Sequence, residues 1–110
     1  MSAGATDPPV ELVAEELGLS TEKYLRLLRR FVELSVAGVS DLERALADRD
    51  LRRAERAAHT IKGSAATLRL PRLALPATRI EGQLRAETRP HGEDLVELKE
   101  ALTALAELLG

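Results

Sequence analysis

The sequence predicts an all-α protein, an antiparallel four-helix bundle with a short additional N-terminal helix. Three observations predict it. Leucine (21) and alanine (17) dominate the 110 residues and charged residues make up 31%, a composition of strong helix formers. The β-branched and aromatic residues that strands draw on are scarce, and Tyr24 and Phe31 are the whole aromatic complement. Apolar residues recur at steps of three and four through several segments, which is the spacing of one helix face. Helices with one apolar stripe each and short connections bury those stripes by closing into a bundle.

Residues 1–9 are small, polar and proline-rich and read as a flexible tail or the end of a linker. Residues 10–110 read as the domain. Its first helix is short, over residues 10–17, with Leu12, Val13 and Leu17 for one face and Gly18 to end it. Ser20 or Thr21 caps the second helix, with Glu22 near its positive end. Its apolar positions are Tyr24, Leu27, Leu28, Phe31, Leu34, Leu42, Ala45 and Leu46. Gly38 costs about 1 kcal/mol against alanine inside a helix and marks a possible break. Asp48 or Asp50 caps the third helix, whose stripe is Leu51, Ala54, Ala58, Ile61, Ala65 and Leu68. Pro71 disfavours the α conformation at Leu70, so this helix ends near Leu68. Pro71 also suits the first turn of the fourth helix. That helix turns Leu73, Ala77, Ile80 and Leu84 inward, with Pro76 expected to kink it. Residues 87–92 carry Pro90 and Gly92 and read as a loop. The last helix, over residues 93–109, buries Leu95, Leu98, Leu102, Leu105 and Leu109.

Several function classes fall away on composition. A net charge of −2 argues against a general nucleic-acid binder. No cysteine means no disulfide, no thiolate nucleophile and no cysteine-held metal. The two histidines, His59 and His91, fall in different elements, and no carboxylates are spaced to complete a catalytic zinc site, so no metal site is expected. The longest apolar run, residues 73–77, is far short of the roughly 20 residues a membrane span needs. Residues 1–9 lack the features of a signal peptide, so a cytoplasmic protein that avoids membranes is expected. One bundle can bury all the stripes, which favours a monomer.

Chemistry is concentrated on the third helix. At 100° per residue, His59 lies about 130° from the centre of the apolar stripe and points outward. Lys62, at i+3, sets an ammonium beside the imidazole, and Gly63, at i+4, removes every side-chain atom from the adjoining surface. A mid-helix glycine destabilises by about 0.5–1 kcal/mol relative to alanine, and access to His59 is a reason to accept that. Imidazole is nucleophilic near neutral pH. Lys62 could stabilise an incoming phosphoryl group, and Arg52 and Arg56 add positive potential. The same residues also suit an ordinary solvated helix face, with the glycine serving close packing. Glu81 lies about 70° from the apolar centre of the fourth helix, on the rim where two helices meet. There it either accepts Nδ1–H of His59 and frees Nε2 to attack, or is an ordinary rim charge paired to an arginine. There is no glycine-rich phosphate loop and no acidic metal cluster, so no nucleotide site of its own is expected.

The string Ala58-His59-Thr60-Ile61-Lys62-Gly63-Ser64-Ala65-Ala66 closely resembles the signature of histidine-containing phosphotransfer (HPt) domains. The resemblance continues through Leu68, Leu73, Ala77, Ile80 and Glu81, and upstream through residues 17–20, Tyr24, Leu27, Leu28 and Phe31. It covers most of residues 10–109. It implies a phosphorelay intermediate of two-component signalling that carries phosphate on Nε2 of His59. Lys62 would lie close to that phosphate, Gly63 would give the partner room, and Glu81 would orient the imidazole. The partners would be a response-regulator receiver domain, which brings the aspartate and Mg²⁺, and a histidine kinase. The chain would be a carrier with no cofactor and no catalysis of its own. Arg52, Arg56 and the small residues Ala57 and Ala66 would belong to the docking face. One position departs from the family pattern: Arg69 stands where glycine is usual, and a left-handed conformation there would cost about 1–2 kcal/mol. A non-phosphorylated helical adaptor is the competing reading, because one bundle serves many functions.

Overall fold

A computed structural model of the chain describes residues 9–110. The tail expected before residue 10 therefore lies outside the described residues, apart from Pro9, which is the N-cap of the first helix. Five helices and no strand occur among the described residues: α1 (Val10–Glu16), α2 (Thr21–Ala47), α3 (Leu51–Thr67), α4 (Pro71–Arg85) and α5 (Gly92–Leu109). Each helix packs on the next, and α5 closes on α2. A 17-residue helix is about 25 Å long, and three-residue connections reach no more than about 11 Å. α2, α3 and α4, joined by residues 48–50 and 68–70, therefore run antiparallel in turn.

The ends follow the capping chemistry of the sequence. Ser20 accepts the Lys23 N–H and caps α2, and Asp50 accepts the Arg53 N–H and caps α3. Asp48 instead ends α2 and pairs with Arg53. Arg53 also donates Nε and Nη2 to Asp41 Oδ1, at 3.0 and 2.7 Å, which ties α3 to α2. The α4–α5 loop ends one residue earlier than expected, with His91 as N-cap and Gly92 already helical.

Four helices, α1 to α4, close with the same turn. A residue in the left-handed region follows the C-cap, and the next N–H reaches back five residues to a carbonyl. These bonds are Leu19 to Ala14, Asp50 to Ala45, Leu70 to Ala65 and Thr88 to Gln83. Only α1 uses glycine at the left-handed position, Gly18 at φ 71°; the others use Arg49 (57°), Arg69 (62°) and Glu87 (61°). Arg69 thus adopts the conformation that glycine would take without cost. In each turn the left-handed residue's own N–H also reaches back three residues, as from Arg69 to Ala66, and the two bonds satisfy helix carbonyls that would otherwise go unpaired.

The core stripe is narrower on α2 than the apolar pattern suggests. Leu28, Phe31, Val39, Leu42 and Leu46 are buried, and Ser35 is buried with them. Leu27 and Leu34 were expected on the same face but are 42% and 57% exposed. They sit seven residues apart on the flank of the stripe, facing a groove between α2 and α3. Leu95 and Leu109, expected inward on α5, are only half-buried, while Asp94 is buried against Arg79 and Gln83. Leu51 and Leu68, expected inward on α3, are also half-buried. Leu42, Leu73, Ile80 and Leu98 are fully enclosed, each contributing about 1.5–3 kcal/mol. The possible break at Gly38 does not occur, and α2 runs through it. A Cβ at Gly38 would lie 3.4 Å from the Ile61 side chain, so the glycine lets α3 approach α2 closely. α4 likewise continues across Pro76, which is buried in the core.

Candidate functional site

α3 has three faces. Ala54, Ala58, Ile61 and Ala65 face the core. Arg52, Arg56, His59, Gly63 and Ala66 follow one another at steps of four and three and form an outer stripe, all of them exposed. Glu55 and Lys62 lie on the flank turned towards α4. The site is built where that flank meets α4.

His59 holds 62% of its side chain in solvent, and its Nδ1 lies 2.6 Å from Glu81 Oε2. Glu81 reaches it from α4 and is itself 3% exposed. An ionised carboxylate only accepts, so Nδ1 carries the proton and donates it. In the neutral ring Nε2 then keeps its lone pair. Lys62 Nζ donates to Glu81 Oε1 at 2.6 Å. Arg85 Nη2 donates to Oε2 at 2.9 Å, and Arg85 Nε lies 3.4 Å from Glu55 Oε2. Burial alone would push the Glu81 carboxyl up. The hydrogen bonds from Lys62 and His59, with the charges of Lys62 and Arg85, outweigh burial and hold it below the ordinary carboxyl value.

The structure thus brings His59, Lys62 and Glu81 together. Lys62 rests on Glu81, the partner its flank offers. Gly63 lies one turn from His59, and a Cβ there would meet no atom within 4 Å. Arg52 and Arg56 form no ion pair among the described residues, and Ala66 lies at the far end of the same stripe. The arginine partner offered as one reading of Glu81 is Arg85, and Glu55 joins the cluster without having been expected there. The i,i+4 spacing of Glu81 and Arg85 was the signal available for Arg85. Beside His59 runs the open groove between α2 and α3, walled by Leu27, Phe31, Leu34 and Gly38 on one side and Ala57 and Ser64 on the other. Among the described residues, no group of three or more histidine or carboxylate side chains could hold a metal. No helix there is long and apolar enough to cross a membrane.

A helical bundle that displays one histidine outward, held by a buried carboxylate of the next helix, is the arrangement of a histidine phosphotransfer module. The chain belongs to the Hpt domain family, whose model matches residues 26–108. Its fold is similar to that of the HPT domain from the Hpt sensor hybrid histidine kinase of Shewanella. That match has a TM-score of 0.75 and 17% identity, and covers 92% of this chain and 88% of the other. No curated protein matches the chain. Hpt domains are phosphocarrier modules that work with histidine kinases and receiver domains in two-component phosphotransfer.

Proposed function

We propose that this chain is a phosphorelay intermediate that accepts a phosphoryl group on Nε2 of His59. It exchanges that group with an aspartate of a response-regulator receiver domain, or receives it from a histidine kinase. The observation that carries this reading is the 2.6 Å contact between His59 Nδ1 and the buried Glu81 carboxylate. It commits the ring proton to Nδ1 and leaves Nε2 as the nucleophile.

In the transfer, the Nε2 lone pair forms a bond to phosphorus of the receiver's acyl phosphate. The P–O bond to the aspartate breaks, and the aspartate carboxylate leaves with the electron pair. The ring gains a positive charge, which lies against the Glu81 carboxylate through the Nδ1 proton. Charge neutralisation and in-line approach are the main demands of such a transfer. Lys62 supplies one cation to the phosphoryl oxygens, and Mg²⁺ arrives with the receiver. Gly63 lets the receiver's surface close over His59. Leu27 and Leu34 give that surface an apolar seat in the adjoining groove. Arg52 and Arg56 steer an acidic receiver pocket towards the site. The chain works in the cytoplasm as a monomeric carrier, without a nucleotide or metal site.

Incubation with a receiver phosphorylated on its aspartate tests this. Acid-labile, base-stable label on the wild-type chain, absent from His59→Gln, is the expected result. Absence of label from the wild type refutes the reading. A His59→Ala variant that still transmits the signal would mark the chain as an adaptor.

A further inference from the structure

Three donors from two helices converge on the Glu81 carboxylate. Its side chain is 4% exposed, with Lys62 on Oε1 and both His59 and Arg85 on Oε2. The two cations differ in what else holds them. Lys62 springs from α3 three residues after His59, is 30% exposed, and makes no other ion pair among the described residues. Arg85 springs from α4, one turn beyond Glu81, and is held from its other side by Glu55 of α3. A phosphoryl group on Nε2 brings close to two negative charges. That charge draws Lys62 off Glu81 and leaves Oε1 without its partner. A buried carboxylate with too few donors takes up a proton. By taking the Nδ1 proton it would leave the phosphorylated ring neutral and Nε2 a poorer leaving atom. In the unphosphorylated ring the same loss of donors would let a protonated Glu81 donate to Nδ1 and place the ring proton on Nε2, the atom that must attack phosphorus.

We propose that Arg85 is a positioning residue for phosphoryl transfer, keeping Glu81 ionised and aimed at His59 Nδ1 while Lys62 turns to the phosphoryl group. Glu55 keeps Arg85 in that place. The inference rests on His59 being the phosphoryl acceptor, but its first test needs no phosphate.

Ring ¹⁵N shifts of His59 report which nitrogen carries the proton. Lys62→Ala imitates the moment when Lys62 has left. In that variant the proton is expected to stay on Nδ1, because Arg85 remains. In Lys62→Ala/Arg85→Ala it is expected to move to Nε2. A double variant that keeps Nδ1–H, or a Lys62→Ala variant that already loses it, overturns the proposal. Transfer rates give a second reading on single variants at an exposed position. Arg85→Ala is expected to slow phosphoryl acceptance on the order of tenfold, the range for losing a charge-assisted hydrogen bond. Arg85→Lys is expected to recover most of the rate. An unchanged rate in Arg85→Ala overturns the proposal even if the double variant does not fold. A wild-type chain that takes no label refutes the phosphorelay reading instead, and the ring shifts still decide the role of Arg85.

Discussion

Gly63→Ala is expected to make the protein more stable and a poorer acceptor from its partner. The added Cβ meets no atom within 4 Å, so it carries no steric penalty in the free protein. Alanine in place of a mid-helix glycine stabilises by about 0.5–1 kcal/mol, which for a domain of this size raises the melting temperature by roughly 2–6 °C. The same methyl stands one turn from His59, on the stripe over which the receiver must close. In-line transfer needs the reacting atoms about 3–3.5 Å apart, and a displacement of about 1 Å can cost about 100-fold. Transfer from a phosphorylated receiver should therefore fall on the order of 10- to 100-fold, and further in Gly63→Leu. Thermal unfolding by circular dichroism and transfer of ³²P from the receiver measure the two effects. Phosphoramidate, a donor too small to feel the methyl, should show a much smaller loss. A stabilised variant that accepts from the receiver at the wild-type rate would refute partner access as the reason for Gly63. A destabilised variant would refute the openness of its surroundings.

Further outcomes follow from the same structure. Glu81 has a lowered folded value, so its contribution to stability is complete above pH about 4.5, the ordinary carboxyl value, and is lost as pH falls through the lowered one. The stability gap between wild type and Glu81→Gln should therefore shrink as urea unfolding is followed from pH 7 into that acid range. Arg69→Gly and Glu87→Gly remove left-handed non-glycine residues at φ 62° and 61°, and each should stabilise by roughly 0.5–1 kcal/mol in urea unfolding. The Arg69–Glu16 pair, at 3.6 Å and half exposed on both sides, gives back little of that. Raising ionic strength should slow receiver association, and Arg52→Ala/Arg56→Ala should flatten that dependence in stopped-flow binding.

The helices were legible because periodicity and capping are local. Ser20, Asp50 and Pro71 announce their helix starts in the sequence, and the α4 stripe and the middle of the α3 stripe fall where steps of three and four place them. What escaped was decided by neighbours. Leu27 and Leu34 fit the α2 stripe by spacing, yet α3 covers only part of that face. Gly38 looked like a weak point because its partner, Ile61, lies 23 residues away in the chain. Arg49 and Glu87 hold the left-handed turn that glycine marks at α1, and nothing in their own chemistry reveals it. In the site, the outward placement of His59 followed from helical geometry alone, whereas Glu81, read as a rim residue, is buried. The grip of Lys62 and Arg85 on Glu81 did not follow from that geometry, because a wheel gives the direction of a long side chain and not its reach. Arg85 had a visible signal in its spacing from Glu81, whereas Glu55 had none until α3 and α4 were packed together.

The proposed function depends on which nitrogen of which histidine bears phosphate. Combined ³¹P and ¹⁵N spectroscopy of the chain labelled by a phosphorylated receiver answers this directly. Phosphorus coupled to Nε2 of His59, with the proton retained on Nδ1 against Glu81, is the predicted result. Phosphate on Nδ1 of His59, on His91, or on no histidine at all would contradict it.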